Sequence, residues 1–421
     1  MDIYTAIDII KQNISKLSNV IELDILNSLN YVLAEDIIST VNIPNQITST
    51  RDGYAIQYQS NCNSYHITGE TYAGEEQNRC INQCCYITTG GILPFGTDTV
   101  IMIEDIEIDD ESNNIIIKQP FNKSDWTRQI GSDIKKNSKV IKTGQLIDSS
   151  IVATLISIGV KNVKVISKPK IGILSSGDEL VDYTKTKKDH QIYDTNKPMI
   201  ISYLNDYRIF DYGILKDDYD ETKNKILNIM NDDIDILITS GGISMGKKDF
   251  IKPIINELGS IYIEKLKMKP GKPFVFSKVN NKLIFSLPGN PVSTAVTLIM
   301  FVLPTLKCLK GLEWKLPTKM KGYLTDDIKA DKTRLEFIRG KISSSILYSR
   351  CFVKPNMNNI NSSNITNMID SNCLIEVLPI IDLKKGNLVN VYVTNEIKQD
   401  KDIFRIGILT ASDRASKGIY E

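Results

Sequence analysis

Between Thr239 and Ser293 the sequence carries three short loops suited to anionic oxygens, each beside an apolar run that reads as a strand. The first is TSGGISMGKKD, residues 239–249. Ser240, Gly241 and Gly242 follow the strand DILIT, and glycines at a strand's C-terminal end leave backbone N–H groups to face a ligand. Ser244 adds a hydroxyl. The second loop is KMKPGKP, residues 267–273, where Lys269 and Lys272 stand three apart across a Pro-Gly turn. Two ammonium groups held that close are costly unless an anion lies between them. The third is SLPGNPVS, residues 286–293. Gly289 and Asn290 precede a helix that opens at Pro291, and Ser293 offers a hydroxyl in its first turn, where the helix dipole favours an anion. Each loop also has a plainer reading as a tight turn, a solvated turn or a cap. Together they point to a phosphorylated ligand or a free oxyanion.

Carboxylates and an arginine complete the candidate set. Glu179, Asp217, Asp218 and Asp249 all fall near strand ends, which in a doubly wound sheet gather at one crevice, and they could hold Mg²⁺ against a phosphoanhydride. Asp249 reads equally as a helix N-cap. Asp52 in RDGYA, Asp133 in GSDI, and Thr89 with Gly90 in the TTGG turn are further candidates from a β-rich region. TRLEFIRG supplies Arg334 and Arg339, and a guanidinium at Arg334 suits bidentate contact with an oxyanion.

These residues need elements to position them. Ile3 to Leu17 has helical apolar spacing, Ser28 to Glu35 reads as a second helix, and Leu146 to Gly159 as a third. The first and last of these pieces are expected to pack together. Residues 41–140 are short β-type runs with turns, so the expected arrangement is a helical or linker domain (1–45 plus 140–168) interrupted by a β-rich domain (46–139). From 169 to 315 strands alternate with helices, the pattern of a doubly wound α/β domain. Thr195 is expected to cap a helix reaching Asn205, and IYIEKLKM (261–268) to be a single strand. Residues 316–397 read as a small β domain, within which Asn356 to Asn372 is an Asn/Ser-rich loop. The fold class is therefore α/β multidomain, with two small β-rich domains. An internal echo closes the chain: KIGILSSGDEL at 170–180 resembles RIGILTASDRA at 405–415, as if a second α/β unit began at 403 and ran to 421.

Composition narrows the class. A chain of 421 residues with 42% hydrophobic and 24% charged residues can bury several cores, and a net charge of +1 gives no basic field for nucleic acid. The N-terminus lacks a basic region followed by an apolar core, so no signal peptide is expected, and the apolar run 295–306 is read as a buried helix and not a membrane span. A cytoplasmic protein is expected. The two histidines and seven scattered cysteines argue against zinc or a Ser-His-Asp triad and leave hard cations on carboxylates.

In order and spacing, VLAEDI (32–37), RDGYA, TGE…AGE (68–75), TTGG…GTDTVIM, GSDI, SSGDEL, IYDTN, KDD, TSGGISMGKKD, KMKPGKPFVF, LPGNPVS and TRLEFIR resemble the MoeA family of molybdopterin molybdenumtransferases, which includes the E domain of gephyrin. The resemblance covers roughly residues 1–397, and the tail resembles the start of a MogA-type G domain. It implies a MogA-like central α/β domain. It also implies a reaction in which adenylylated molybdopterin and molybdate bind, the phosphoanhydride is hydrolysed with Mg²⁺, molybdenum enters the dithiolene and AMP leaves. By motif, Lys269, Lys272, Ser293 and Arg334 would contact molybdate, joined by a serine of the segment 361–363, with Ser363 favoured. Ser244, Asp217, Asp249, Pro273, Glu179, Asp52 and Asp133 would belong to the catalytic cleft. Asp52 would come from a partner subunit, which implies a homodimer. The chain departs from the family in having STRDGYA for SAMDGYA, with Arg51 beside Asp52, and NSSNIT for the segment that usually carries a glutamine. Alternatives are a gephyrin-like dimeric scaffold and a MogA-type adenylyltransferase. The fragment at 403–421 lacks the later G-domain motifs, so no adenylyltransferase activity is expected.

Overall fold

The computed structural model describes residues 1–77, 84–243, 249–345, 350–357 and 361–399. Ser244 and the stretch 403–421 lie outside the described residues. The chain forms two compact units: residues 18–167, and residues 1–17 together with those from 168 onward.

The larger unit is built on a six-stranded sheet. Its strands are β1 (Lys170–Ser176), β2 (Arg208–Leu215), β3 (Ile236–Ser240), β4 (Ser260–Ile263), β5 (Val275–Val279) and β6 (Lys282–Leu287), in the spatial order β2-β1-β3-β6-β5-β4. The first four run parallel, and β5 and β4 are antiparallel additions. Parallel strands buried on both faces should be continuously apolar, and ILIT of β3 and KIGILSS of β1 are buried along nearly their whole length. Helices Asn196–Tyr203, Tyr219–Asn231, Ile251–Leu258 and Pro291–Thr297 follow the strands, as doubly wound logic requires. The last continues helically to Leu309 and is buried for most of its length, so its apolar composition serves the core.

The N-terminal helix, Ile3–Asn13, is capped by Asp2, whose side chain accepts from Tyr4 N and Thr5 N. Its Ile3, Ala6, Ile7 and Ile10 recur at helical spacing and bury in the same cluster as Ile171, Phe274, Phe285 and Phe301. The helix Ser149–Ser157, in the other unit, buries Leu155 in a cluster of its own with Ile25, Leu33 and Val163.

After residue 318 five strands close into a barrel: β7 (Lys319–Leu324), β8 (Leu335–Ser345), β9 (Arg350–Pro355), β10 (Cys373–Val377) and β11 (Leu388–Val393). The order runs β8-β9-β7-β11-β10 and back to β8. Closure leaves no open edge among these five. The run expected as one strand over 261–268 is divided. Ser260–Ile263 belongs to the α/β sheet, whereas Met268–Lys269 pairs parallel with Leu335 and Glu336 of the barrel.

In the unit 18–167, a four-stranded sheet orders Glu70–Thr71, Cys84–Ile87, Gly53–Ile56 and Thr99–Met102. A second sheet pairs Val20–Asp24, Asn162–Ile166 and Val32–Leu33. The helix expected over Ser28 to Glu35 does not form. Asn30 takes a left-handed conformation at φ 65°, which ends any helix there, and Val32 and Leu33 pair with Ile166 and Val165.

Candidate active site

The C-terminal ends of β1, β3 and β6 open onto a cleft of about 1130 Å³ in the larger unit. Ser176, Gly177 and Glu179 follow β1, Ser240, Gly241 and Gly242 close β3, and Gly289 and Asn290 follow β6. The lysine turn, the start of β8 and the segment 361–363 complete the lining. A crevice outside the carboxyl ends of parallel strands is where such sheets bind ligands.

Two glycines are dictated by crowding. Gly241 sits at φ 89°, and a Cβ there would lie 2.4 Å from the carbonyl oxygen of Ser176. Gly271 sits at φ 104°, with Thr297 Cγ2 2.7 Å from where its Cβ would be. Any other residue would displace the loop that presents Ser240 or the turn that presents Lys269 and Lys272. Contrary to expectation, the Gly241 N–H does not turn to a ligand but donates to Leu287 O at 3.2 Å. At the helix start, Pro291 has no N–H and Val292 N donates to Ser362 O, so Ser293 carries the next donor into the cleft.

The cations are not equivalent. Lys269 Nζ lies 2.7 Å from Glu336 Oε1, and the buried Glu336 also accepts from Asp331 N at 2.8 Å through Oε2. Arg334 is held by Asp331 at 2.9 Å. The backbone N–H of Thr333 and the Arg334 guanidinium keep the Asp331 carboxyl well below the ordinary carboxylate range. Lys272 is exposed and makes no ion pair among the described residues. Arg339 is buried on the barrel side of the cleft, donating to Asn367 Oδ1 at 2.9 Å; burial pulls its pKa down, with the charge of Glu336 opposing.

Of the residues singled out from sequence, Glu179, Asp217, Asp249, Ser240, Gly241, Gly242, Lys269, Lys272, Pro273, Gly289, Asn290, Ser293, Arg334 and Ser363 all line this one cleft. Asp218 does not, because its carboxylate accepts from Glu221 N at 2.8 Å as the N-cap of helix Tyr219–Asn231. Asp249 is not a cap, since the helix that follows begins at Ile251 with Phe250 at the cap position. Nor does Thr195 cap its helix through its side chain; the carboxylate of Asp194 takes Lys197 N at 3.1 Å. In the other unit Asp52 accepts from Thr89 N at 2.6 Å, Gly90 N donates to Ser49 O, and Asp133 is paired with Arg128. Arg51 lays its guanidinium over Trp126 at 5.0 Å.

Among the described residues no group of three His, Cys, Asp or Glu converges to hold a metal unaided. Glu179, Asp217 and Asp249 nevertheless line the same cleft, and Mg²⁺ characteristically takes one or two carboxylates plus phosphate oxygens and water. The donor set fits an ion that arrives with a phosphorylated ligand.

Sequence reasoning gives Asn196, Asp194 and Glu336 no role of their own, and Ser362 only that of the less favoured serine beside Ser363. Asn196 Nδ2 donates to Ser240 Oγ at 2.8 Å and to Gly289 O at 2.7 Å, tying two of the three loops together with one amide. Ser362 accepts from Asn290 Nδ2 at 3.0 Å, which brings the barrel's Asn/Ser-rich loop onto the helix start. IYDTN and NSSNIT stood out as motifs, but nothing local in them says what they reach.

Comparison with known proteins gives three family matches along the chain: "MoeA N-terminal region (domain I and II)" over residues 1–159, "Probable molybdopterin binding domain" over 172–308 and "MoeA C-terminal region (domain IV)" over 321–394. A molybdopterin molybdenumtransferase of Haemophilus influenzae is 34% identical over 325 residues, covering 76% of this chain and 80% of that protein. Gephyrin of Dictyostelium discoideum is 32% identical, and the match spans 93% of this chain but only 62% of that protein. Among solved structures, a molybdopterin biosynthesis MoeA protein from Pyrococcus horikosii superposes with a TM-score of 0.78 at 27% identity, covering 94% of this chain and 99% of that one.

Proposed function

We propose a division of labour for this cleft from the premise that the chain belongs to the MoeA family, the molybdopterin molybdenumtransferases of molybdenum cofactor biosynthesis. It is a transferase of that pathway. The substrate is adenylylated molybdopterin, and molybdate is the cargo. Lys269, Lys272 and Arg334 supply positive charge for the molybdate dianion, and Ser293 and Ser363 supply hydroxyl donors. Ser240, Gly242, Gly289 and Asn290 cradle the phosphates. Glu179, Asp217 and Asp249 orient the water that cleaves the phosphoanhydride, one of them taking its proton, and AMP leaves while molybdate gives up oxygens as water in exchange for the two dithiolene sulfurs. Pro273 shapes the end of the lysine turn.

Mg²⁺, when bound, neutralises phosphate charge; Glu179, Asp217 and Asp249 would hold it. Asp52, Asp133, Thr89 and Gly90 are assigned to the same chemistry on the family resemblance, with Asp52 contributed by a second copy of the chain in a homodimer. A cytoplasmic location belongs to the same reading.

The observation that carries it is that one cleft gathers Lys269, Lys272, Arg334, a helix start, and Glu179, Asp217 and Asp249 from six separate stretches of sequence. A dianion and a phosphoanhydride are what such a set recognises. The test is incubation of the purified chain with adenylylated molybdopterin and Mg²⁺, with and without molybdate, reading AMP release and molybdenum content of the pterin. Molybdate-dependent release with metal incorporated is expected. Release that ignores molybdate, or none at all with the adenylate still bound, would overturn the reading.

A further inference from the structure

At the junction of Tyr193 and the helix Asn196–Tyr203, two residues of the cleft lining each carry a buried acceptor atom with no donor among the described residues. Asp194 is 3% exposed and Asn196 8%, and both line the cavity. Asp194 Oδ1 is used by Lys197 N, but Oδ2 has no hydrogen-bond partner. The Asn196 amide cannot be flipped to cure its own orphan. One of its two acceptors is the carbonyl of Gly289, which only a nitrogen can satisfy, so Oδ1 is the atom left without a partner. Buried hydroxyls of the same sheet, such as Thr239 and Ser286, also lack partners, but those sit within buried strands away from the cleft lining. A buried carboxylate oxygen and a buried amide oxygen without donors each cost stability, a cost a bound ligand can reverse.

We propose that Asp194 Oδ2 and Asn196 Oδ1 form an acceptor-only subsite that takes a pair of adjacent hydrogen-bond donors on the substrate. The inference rests on the transferase reading above and deepens it. The ionised phosphoanhydride and molybdate present only acceptors at neutral pH, so this corner does not serve them. It must read an organic part of the substrate. Two parts carry adjacent donors: the ribose diol of the adenylate, and the amino edge of the pterin with its ring N–H. Both are neutral, matching a pair of acceptors that together carry one negative charge.

The test is calorimetric titration of AMP, 2′-deoxy-AMP and metal-free molybdopterin into the wild-type chain and into Asp194→Asn and Asp194→Ser. Either replacement keeps an oxygen able to cap Lys197 N, so the helix start is preserved, and equal melting temperatures check this. The expected result is that both variants weaken one ligand by roughly ten- to a hundredfold while the other is unchanged, as for loss of a hydrogen bond to a charged group. If AMP is the affected ligand, 2′-deoxy-AMP should bind wild type and variants alike, assigning the diol; if molybdopterin is affected, the pterin edge is assigned. Unchanged binding of both ligands, or equal weakening of both, would overturn the inference while leaving the transferase reading intact. A wild-type chain that binds neither AMP nor molybdopterin would overturn both.

Discussion

Lys269 Nζ lies 2.7 Å from the Oε1 oxygen of Glu336, a residue only 4% exposed. The lysine of the turn thus already has a counter-charge, supplied by the barrel. An incoming dianion meets this carboxylate as well as the lysine, so binding is weaker than two lysines alone would give. Glu336→Gln should tighten molybdate binding severalfold, on the order of 1 kcal/mol for a like charge removed at partly screened distance. The same change lowers stability, because Asp331 N loses an ionised acceptor. Calorimetric titration with molybdate checks the first effect, and a weaker Kd in the variant would refute it.

Lys272 has no such carboxylate partner among the described residues and stands exposed on the same turn. Lys272→Ala should leave the melting temperature where it was and cut molybdate-dependent AMP release by about a hundredfold or more, as for removal of a charge aimed at the reacting group. Lys269→Ala should cost similar activity but also destabilise the protein, since it strands the buried Glu336 charge. Turnover close to wild type in both variants would remove the turn from the mechanism.

Asn196→Ala removes the amide that joins Ser240 to Gly289. Two hydrogen bonds within a buried site are lost and one carbonyl is left without its donor, so unfolding free energy should fall by roughly 1–3 kcal/mol. Because both loops contribute to the cleft, KM for the adenylate should rise together with the loss of stability. Denaturant titration and steady-state kinetics measure the two; an unchanged midpoint would show that the loops stand without the tie.

Asp331 sets a pH dependence. Its carboxyl is held below its ordinary value by Thr333 N–H and the Arg334 guanidinium, so its folded pKa is lower than its unfolded one. The stabilisation is therefore fully present above the unfolded pKa of about 4 and is lost as pH falls through the folded value. Wild type should melt above Asp331→Asn at pH 7, and the gap should close on acidification below about pH 4. A gap that stayed constant from neutral to acid pH would mean the stabilisation does not come from ionised Asp331.

Much of the cleft was legible because its chemistry is local. Ser240-Gly241-Gly242, the lysine turn and Asn290-Pro291 each combine a strand end with residues that force a turn, and such signals survive without knowledge of the rest of the chain. What failed was whatever depends on a distant partner. Asp218 and Asp249 look alike in sequence, yet one caps a helix and the other faces the cleft. Val32 and Leu33 fit a helical reading until Ile166 and Val165 arrive to pair with them. Asn196 matters for what it touches 44 and 93 residues away, and nothing beside it in the sequence announces either contact. The apolar stripe of the helix Ile3–Asn13 states that a face will be buried, but not that Ile171, Phe274, Phe285 and Phe301 will share its cluster.

The two-residue strand Met268–Lys269 belongs, by hydrogen bonding, to a domain that begins some fifty residues later in the chain. Gene-level modularity and functional modularity therefore part company here. Exchange of the barrel between relatives, or its deletion, would carry away the partner strand and the counter-ion of Lys269 while leaving every codon of the lysine turn in place. Recombinants cut between residues 315 and 316 should fold as an α/β layer with an unpaired edge at Met268 and a misplaced lysine, so barrel and turn are expected to be inherited as one piece.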